Sequence, residues 1–124
     1  MKHARLLLVD DDELVLATFG RALRSAGFDV GLAGSGEEAL EIAGNEPPDL
    51  AILDLRMPGM SGIETATAMR ELGVAVMFLT AYTEQELGNE VIEGGALGLL
   101  VKPIDLASAI PAIEAALERA AEER

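Results

Sequence analysis

With 124 residues, 13.0 kDa and half its residues hydrophobic, the chain is sized for one domain whose core needs no disulfide or metal staple. It has no cysteine, which excludes structural disulfides, thiolate nucleophiles and cysteine-held zinc or iron–sulfur sites. Nine Lys+Arg against 22 Asp+Glu give a net charge of −13, and with four aromatic residues (Phe19, Phe28, Phe78, Tyr82) direct nucleic-acid binding is not expected.

Met1-Lys2-His3-Ala4-Arg5 leads into an apolar run too short for a signal-peptide core, and no run approaches the ~20 residues of a membrane span. A cytoplasmic protein is expected. Arg5–Val9 is the first nearly continuous apolar run, and Leu50–Leu53, Val74–Leu79 and Leu97–Val101 are the others. Such runs suit parallel strands buried on both faces. Phe28–Leu32 alternates apolar residues with Asp29 and Gly31, which predicts an edge strand.

Helical spacing fills the intervals. Val15, Phe19, Ala22 and Ala26 share a helix face, with Gly27 at its C-terminal stop. Ser35-x-x-Glu38, Ser61-x-x-Glu64 and Thr83-x-x-Glu86 predict capping boxes at three further helix starts. Leu106, Ile110, Ile113, Leu117 and Ala120 mark a last helix, expected to start near Ser108 or to kink because Pro111 lacks a donor. Five β-α units in a row with short connections predict an α/β fold, a doubly wound five-stranded parallel sheet under helices on both faces. Such sheets bind ligands at the carboxyl ends of their strands, where strand order reverses.

At those ends stand Asp10-Asp11-Asp12, Asp54, Thr80 and Lys102. Each has an ordinary structural explanation: Asp12 a helix cap, Thr80 a β-branched strand residue, Lys102 a solvated strand end. Together on one rim they point to chemistry. Two carboxylates about 4 Å apart repel by roughly 4 kcal/mol at an effective dielectric near 20, and Asp10, Asp11 and Asp54 have only Lys102 to offset them. A divalent cation resolves that conflict, and all-oxygen ligands suit Mg²⁺. A carboxylate beside it can then attack a phosphoryl group, with Lys102 and Thr80 binding its oxygens.

Leu7-Leu8-Val9-Asp10-Asp11-Asp12, Asp54-Leu55-Arg56-Met57-Pro58-Gly59-Met60-Ser61-Gly62, Leu79-Thr80-Ala81 and Gly95-Ala96 followed by Lys102-Pro103 resemble the receiver domain of two-component response regulators, over essentially the whole chain, residues 1–124. The resemblance implies a flavodoxin-like (βα)5 fold with strand order 2-1-3-4-5. It implies that Asp54 is the phospho-acceptor, that Asp11 and Asp54 ligate Mg²⁺, that Asp10 assists through water and that the backbone carbonyl of Arg56 fills another position. Thr80 would be the switch hydroxyl, Lys102 the phosphate-pairing cation, and Lys102–Pro103 a cis peptide. A sensor histidine kinase or phosphotransfer protein would supply the phosphoryl group. An output protein, or an effector domain outside this chain, would read the surface of the fourth helix, fifth strand and fifth helix, which also allows a homodimer.

Two features depart from the common pattern. Leu99 stands where the family usually carries an aromatic switch residue, so it is expected to be an inward packing plug. Arg56 and Tyr82 flank the pocket as a bulky pair: they could hinder the hydrolytic water, or Arg56 could simply pair with a surface acid. Leu79–Tyr82, Gly95–Pro103 and Ile110-Pro111-Ala112-Ile113-Glu114 also resemble receivers of antiterminator-type (ANTAR) regulators. The alternative reading is a small Mg²⁺-dependent phosphohydrolase of the haloacid-dehalogenase type with Asp10 as nucleophile, since Asp10-x-Asp12 matches its first motif superficially. A degenerate receiver that serves only as a docking module is disfavoured, because every pocket residue is present. The phospho-acceptor reading makes the chain a switch and not an enzyme.

Overall fold

Strand residues of alternate parity build two separate cores, and this alternation sets the architecture. The computed structural model describes residues 4–82, 84–87, 89 and 95–123. β1 (Arg5–Val9), β2 (Asp29–Ala33), β3 (Leu50–Asp54), β4 (Val76–Thr80) and β5 (Leu99–Val101) form one parallel sheet in the order β2-β1-β3-β4-β5. Leu6, Leu8, Ile52 and Leu79 face α1 (Glu13–Ser25) and the last helix, α5 (Leu106–Glu122), meeting Phe19, Leu23, Ile113 and Leu117. Leu7, Val9, Leu53 and Phe78 face the opposite way. There they meet Ala39 of α2 (Gly36–Asn45), Ala66 and Met69 of α3 (Gly62–Glu71) and Leu87 of α4 (Glu84–Leu87). Continuous apolar runs are thus what a strand with two covered faces requires.

β2 is an edge strand, as its alternation predicts. β5 is the other edge, as the strand order implied by the resemblance requires, although its apolar sequence alone does not predict it. Only Leu100 of its three residues is buried, and Val101 is 41% exposed. Strand order, a tertiary property, overrides the apolar pattern there.

The helix ends follow local chemistry. Gly27 has φ +105° and closes α1: its N–H donates to Arg24 O at 3.0 Å while Phe28 N–H donates to Leu23 O at 3.2 Å. Ser61 and Glu64 form the full reciprocal box at α3. At α2 the expected box is only half formed. Ser35 Oγ accepts from Glu38 N–H, but the Glu38 carboxylate takes the Gly34 N–H at 2.6 Å, one residue earlier. Thr83 lies outside the described residues, so that box is not seen. α5 starts at Leu106, two residues before the expected Ser108. Asp105 accepts from Ala107 N–H and from the Ser108 hydroxyl and so caps the helix, which runs on through Pro111.

No described helix is long and apolar enough to cross a membrane. β1 lies between β2 and β3, so the chain reverses direction across the sheet at the β1–β3 boundary. The carboxyl ends of those two strands are therefore where a ligand is expected.

Candidate functional site

Asp10 follows the last residue of β1, and Asp54 ends β3 beside it. Both are buried, Asp10 completely. One carboxylate oxygen from each of Asp10, Asp11 and Asp54 lies within 4.8 Å of the others, and Asp11 is exposed at the rim. Short-range backbone contacts hold the two buried carboxylates. Asp12 N–H donates to Asp10 Oδ1 at 2.9 Å, and Arg56 N–H donates to Asp54 Oδ1 at 3.1 Å. Asp12 itself turns outward as the cap of α1, accepting from Leu14 N–H. Its ordinary structural explanation is the right one.

Lys102 follows β5 and reaches back across the sheet end. Its Nζ lies 2.9 Å from Asp10 Oδ2 and 3.7 Å from Asp54 Oδ2. It thus pairs first with Asp10, which the sequence does not indicate. The short contact is an ion pair without hydrogen-bond alignment, and Asp10 Oδ2 has no directed donor despite being buried. The Lys102 ammonium offsets the charge of this buried carboxylate.

The electrostatics follow from this packing. Burial, then the adjacent Asp10 charge, pushes the Asp54 carboxyl up to about 7, against the opposing pull of the Arg56 N–H and Lys102. For Lys102, burial works against the charged form, but contact with Asp10 and the charge of Asp54 outweigh it. Its pKa is raised and the ammonium stays charged.

Thr80 ends β4, next to β3, and is 1% exposed. Its Oγ accepts from Tyr82 N–H at 3.2 Å, which leaves the hydroxyl proton free to donate elsewhere. Leu99 of β5 is half-buried and packs against the core shared by α2, α3 and α4. The Lys102–Pro103 peptide is cis.

One contributor escapes sequence reading. Gly62 opens α3 directly against the end of β3: a Cβ there would stand 2.5 Å from Asp54 O and 2.6 Å from Leu55 Cα. Its signals in the sequence, a glycine at a helix start and a place at the end of the receiver-like run from Asp54, do not reveal this contact. Arg56 and Tyr82, singled out as a flanking pair, do meet. The guanidinium carbon lies 5.7 Å from the Tyr82 ring centroid.

Comparison with known proteins agrees with this geometry. Residues 6–114 match the family described as the response regulator receiver domain. The transcriptional regulatory protein PdtaR of Mycobacterium tuberculosis is 38% identical over 117 residues, covering 93% of this chain and 57% of that protein. PrrA of the same organism is 40% identical over 117 residues, covering 93% of this chain and 50% of that protein. The chain therefore spans about half the length of these curated relatives. Among solved structures, the chemotaxis protein CheY4 of Vibrio cholerae superposes with a TM-score of 0.85 at 32% identity, covering 90% of this chain and 97% of that one. A CheY-like receiver domain from Methanospirillum hungatei gives 0.88 at 28% identity, covering 98% of each.

None of these supports a phosphohydrolase using Asp10, and the geometry opposes it. Asp10 is fully buried, bound by the Asp12 N–H and paired with Lys102, while Asp12 is engaged as a helix cap. Fold, acidic cluster and relatives converge: the chain belongs to the receiver domains of two-component response regulators.

Proposed function

We propose that residues 1–124 act as one phospho-acceptor domain in which Asp54 takes a phosphoryl group from the phosphohistidine of a sensor histidine kinase or phosphotransfer protein. The observation that carries this is the meeting of Asp10, Asp11 and Asp54 with one lysine at the point where strand order reverses. The donor set is all oxygen and includes a buried, undirected Asp10 Oδ2, which fits Mg²⁺. Asp10, Asp11, Asp54 and the backbone carbonyl of Arg56 would hold it. When bound, the ion supplies positive charge that offsets carboxylate repulsion and the charge developing on the phosphoryl oxygens.

The chain's own groups do the rest. An Asp54 carboxylate oxygen attacks phosphorus, the P–N bond to the donor histidine breaks, and the nitrogen keeps the electron pair. The Lys102 ammonium pairs with one phosphoryl oxygen and the Thr80 hydroxyl donates to another. Leu99 stays inward as a plug in both states, so the loop after Thr80 carries the change to the surface of α4, β5 and α5. An output protein, an effector domain outside this chain or a second copy of it would read that surface. The domain works in the cytoplasm as a switch without turnover of its own.

Acetyl phosphate with Mg²⁺ is expected to add one phosphate per chain, and Asp54→Asn to abolish it. Mass spectrometry showing an unchanged label in that variant removes Asp54 as acceptor.

Metal binding has its own readout. Mg²⁺ held by the native state alone, at a hundredfold excess over its dissociation constant, stabilises by about 2.7 kcal/mol. The melting temperature of the parent should rise by several degrees with Mg²⁺ and that of Asp11→Ala hardly at all. Equal shifts in both would place the ion elsewhere.

A further inference from the structure

Two charged side chains cover the outer edge of β2. In a parallel ladder, alternate residues turn their peptide groups towards the neighbouring strand and away from it. Asp29 N–H donates to Ala4 O and Ala33 O accepts from Asp10 N–H, both at 3.1 Å, so Val30 and Leu32 turn theirs outward. The Gly34 N–H points outward as well, because it opposes the Ala33 carbonyl across a trans peptide. Arg24, exposed in the last turn of α1, donates from Nη2 to Val30 O at 2.8 Å. Glu38, exposed in the first turn of α2, accepts from Gly34 N–H at 2.6 Å instead of closing its capping box. One side chain thus covers an outward acceptor and the other an outward donor, with Leu32 midway between them.

The covered pair is self-complementary. Val30 and Gly34 are equally far along the chain from Leu32. If a second β2 runs antiparallel beside the first with Leu32 opposite Leu32, Val30 stands opposite Gly34 of the copy. Residues opposed in this way exchange N–H···O bonds. Gly34 N–H of each chain would donate to the Val30 carbonyl of the other, twice across a two-fold axis. Those are the groups that Glu38 and Arg24 occupy.

From this register we propose that the edge of β2 is a latent pairing surface for β2 of a second copy of this chain, kept shut by Arg24 and Glu38. An open strand edge invites pairing between chains. Both plugs are charge-assisted bonds to backbone groups, stronger than the neutral bonds they displace. With them in place, an incoming strand meets only the outward groups of Leu32 between two occupied positions. β2 lies at the far edge of the sheet from β5, so this surface is separate from one formed by α4, β5 and α5. The inference does not depend on Asp54 being the acceptor, and the chain without a phosphoryl donor tests it.

Sedimentation velocity reads self-association in the parent, Arg24→Met, Glu38→Ala and their double variant. Both side chains are exposed and lie outside the two cores, so the fold should survive. Each cross-strand bond needs Val30 O open on one chain and Gly34 N–H open on the other. Either single variant leaves every such bond blocked and should match the parent. The double variant should associate about tenfold more tightly or more, the scale that two added backbone hydrogen bonds set. Glu38→Gln keeps an acceptor oxygen, so paired with Arg24→Met it should stay at the parent's level. Amide exchange then locates the contact: Leu32 and Gly34 N–H should be protected in the associated double variant and lose that protection on dilution. A double variant that associates no more than the parent overturns the proposal. So does a single variant that associates as tightly as the double. Association that leaves the Leu32 N–H exchanging as fast as in the monomer also overturns it, because the contact then lies on another face.

Discussion

Gly62→Ala is expected to destabilise the domain by about 2–4 kcal/mol, although alanine is the better helix former. The added Cβ would stand 2.5 Å from Asp54 O, 2.6 Å from Leu55 Cα and 2.9 Å from Leu55 O. All three are backbone atoms of the β3 end, so none can swing aside as a long side chain would. Relief requires α3 to move away from β3, which also stretches the Gly62 N–H bond to Leu55 O, now 3.2 Å. Since Asp54 is part of the obstructing backbone, phosphoryl uptake should slow even in the fraction that folds. Gly44→Ala is the control: it is exposed near the end of α2 with nothing within 4 Å of the new Cβ. That change should add about 0.5–1 kcal/mol by helix propensity. Denaturant unfolding of both variants checks the pair, and equal behaviour would mean that the contact at Gly62 is not limiting.

Without metal, Asp54→Asn should be more stable than the parent at pH 8, by about 1–3 kcal/mol, and the gap should close towards pH 4. The sign follows from proton counting. Burial and the Asp10 charge raise the native carboxyl from 3.8 to about 7, so between those values the folded state binds more protons than the unfolded one. Stability then falls as pH rises through that window and levels off above it. At 1.36 kcal/mol per unit the ceiling is about 4 kcal/mol. Lys102 keeps Asp10 at 2.9 Å as a partner when the Asp54 charge is removed, and rearrangement around that pair reduces the effect. An asparagine still offers an oxygen to the Arg56 N–H, so the backbone contact survives. With saturating Mg²⁺ the advantage should shrink or reverse, because the ion favours the ionised parent. Urea melts at pH 4, 6 and 8 with EDTA decide it. A parent whose stability tracks the variant at all three values would show that Asp54 carries no excess proton.

Much of this molecule is determined by the sequence itself because its information is local. Four apolar runs and one alternating segment with helical intervals dictate a parallel sheet, and the capping residues Ser61 and Glu64 and the stop at Gly27 act over a few residues. Asp10, Asp54, Thr80 and Lys102 are legible as a site because strand ends in a parallel sheet share one rim. Tertiary structure decided what depends on neighbours distant in the chain. The residues of β5 alone read as an interior strand; its edge place, which the resemblance implies through the order 2-1-3-4-5, is set by strand order and not by those residues. Two local details differ from the sequence reading for another reason: Glu38 reaches Gly34 instead of closing its box, and Asp105 starts α5 before Ser108, because alternative donors and acceptors compete within a turn. Lys102 pairs first with Asp10, Gly62 lies against the Asp54 backbone, and Arg56 meets Tyr82 only because β3 and β4 lie side by side. Residue type announces charge and capping. Which charge meets which is fixed by ångström-scale packing between segments tens of residues apart.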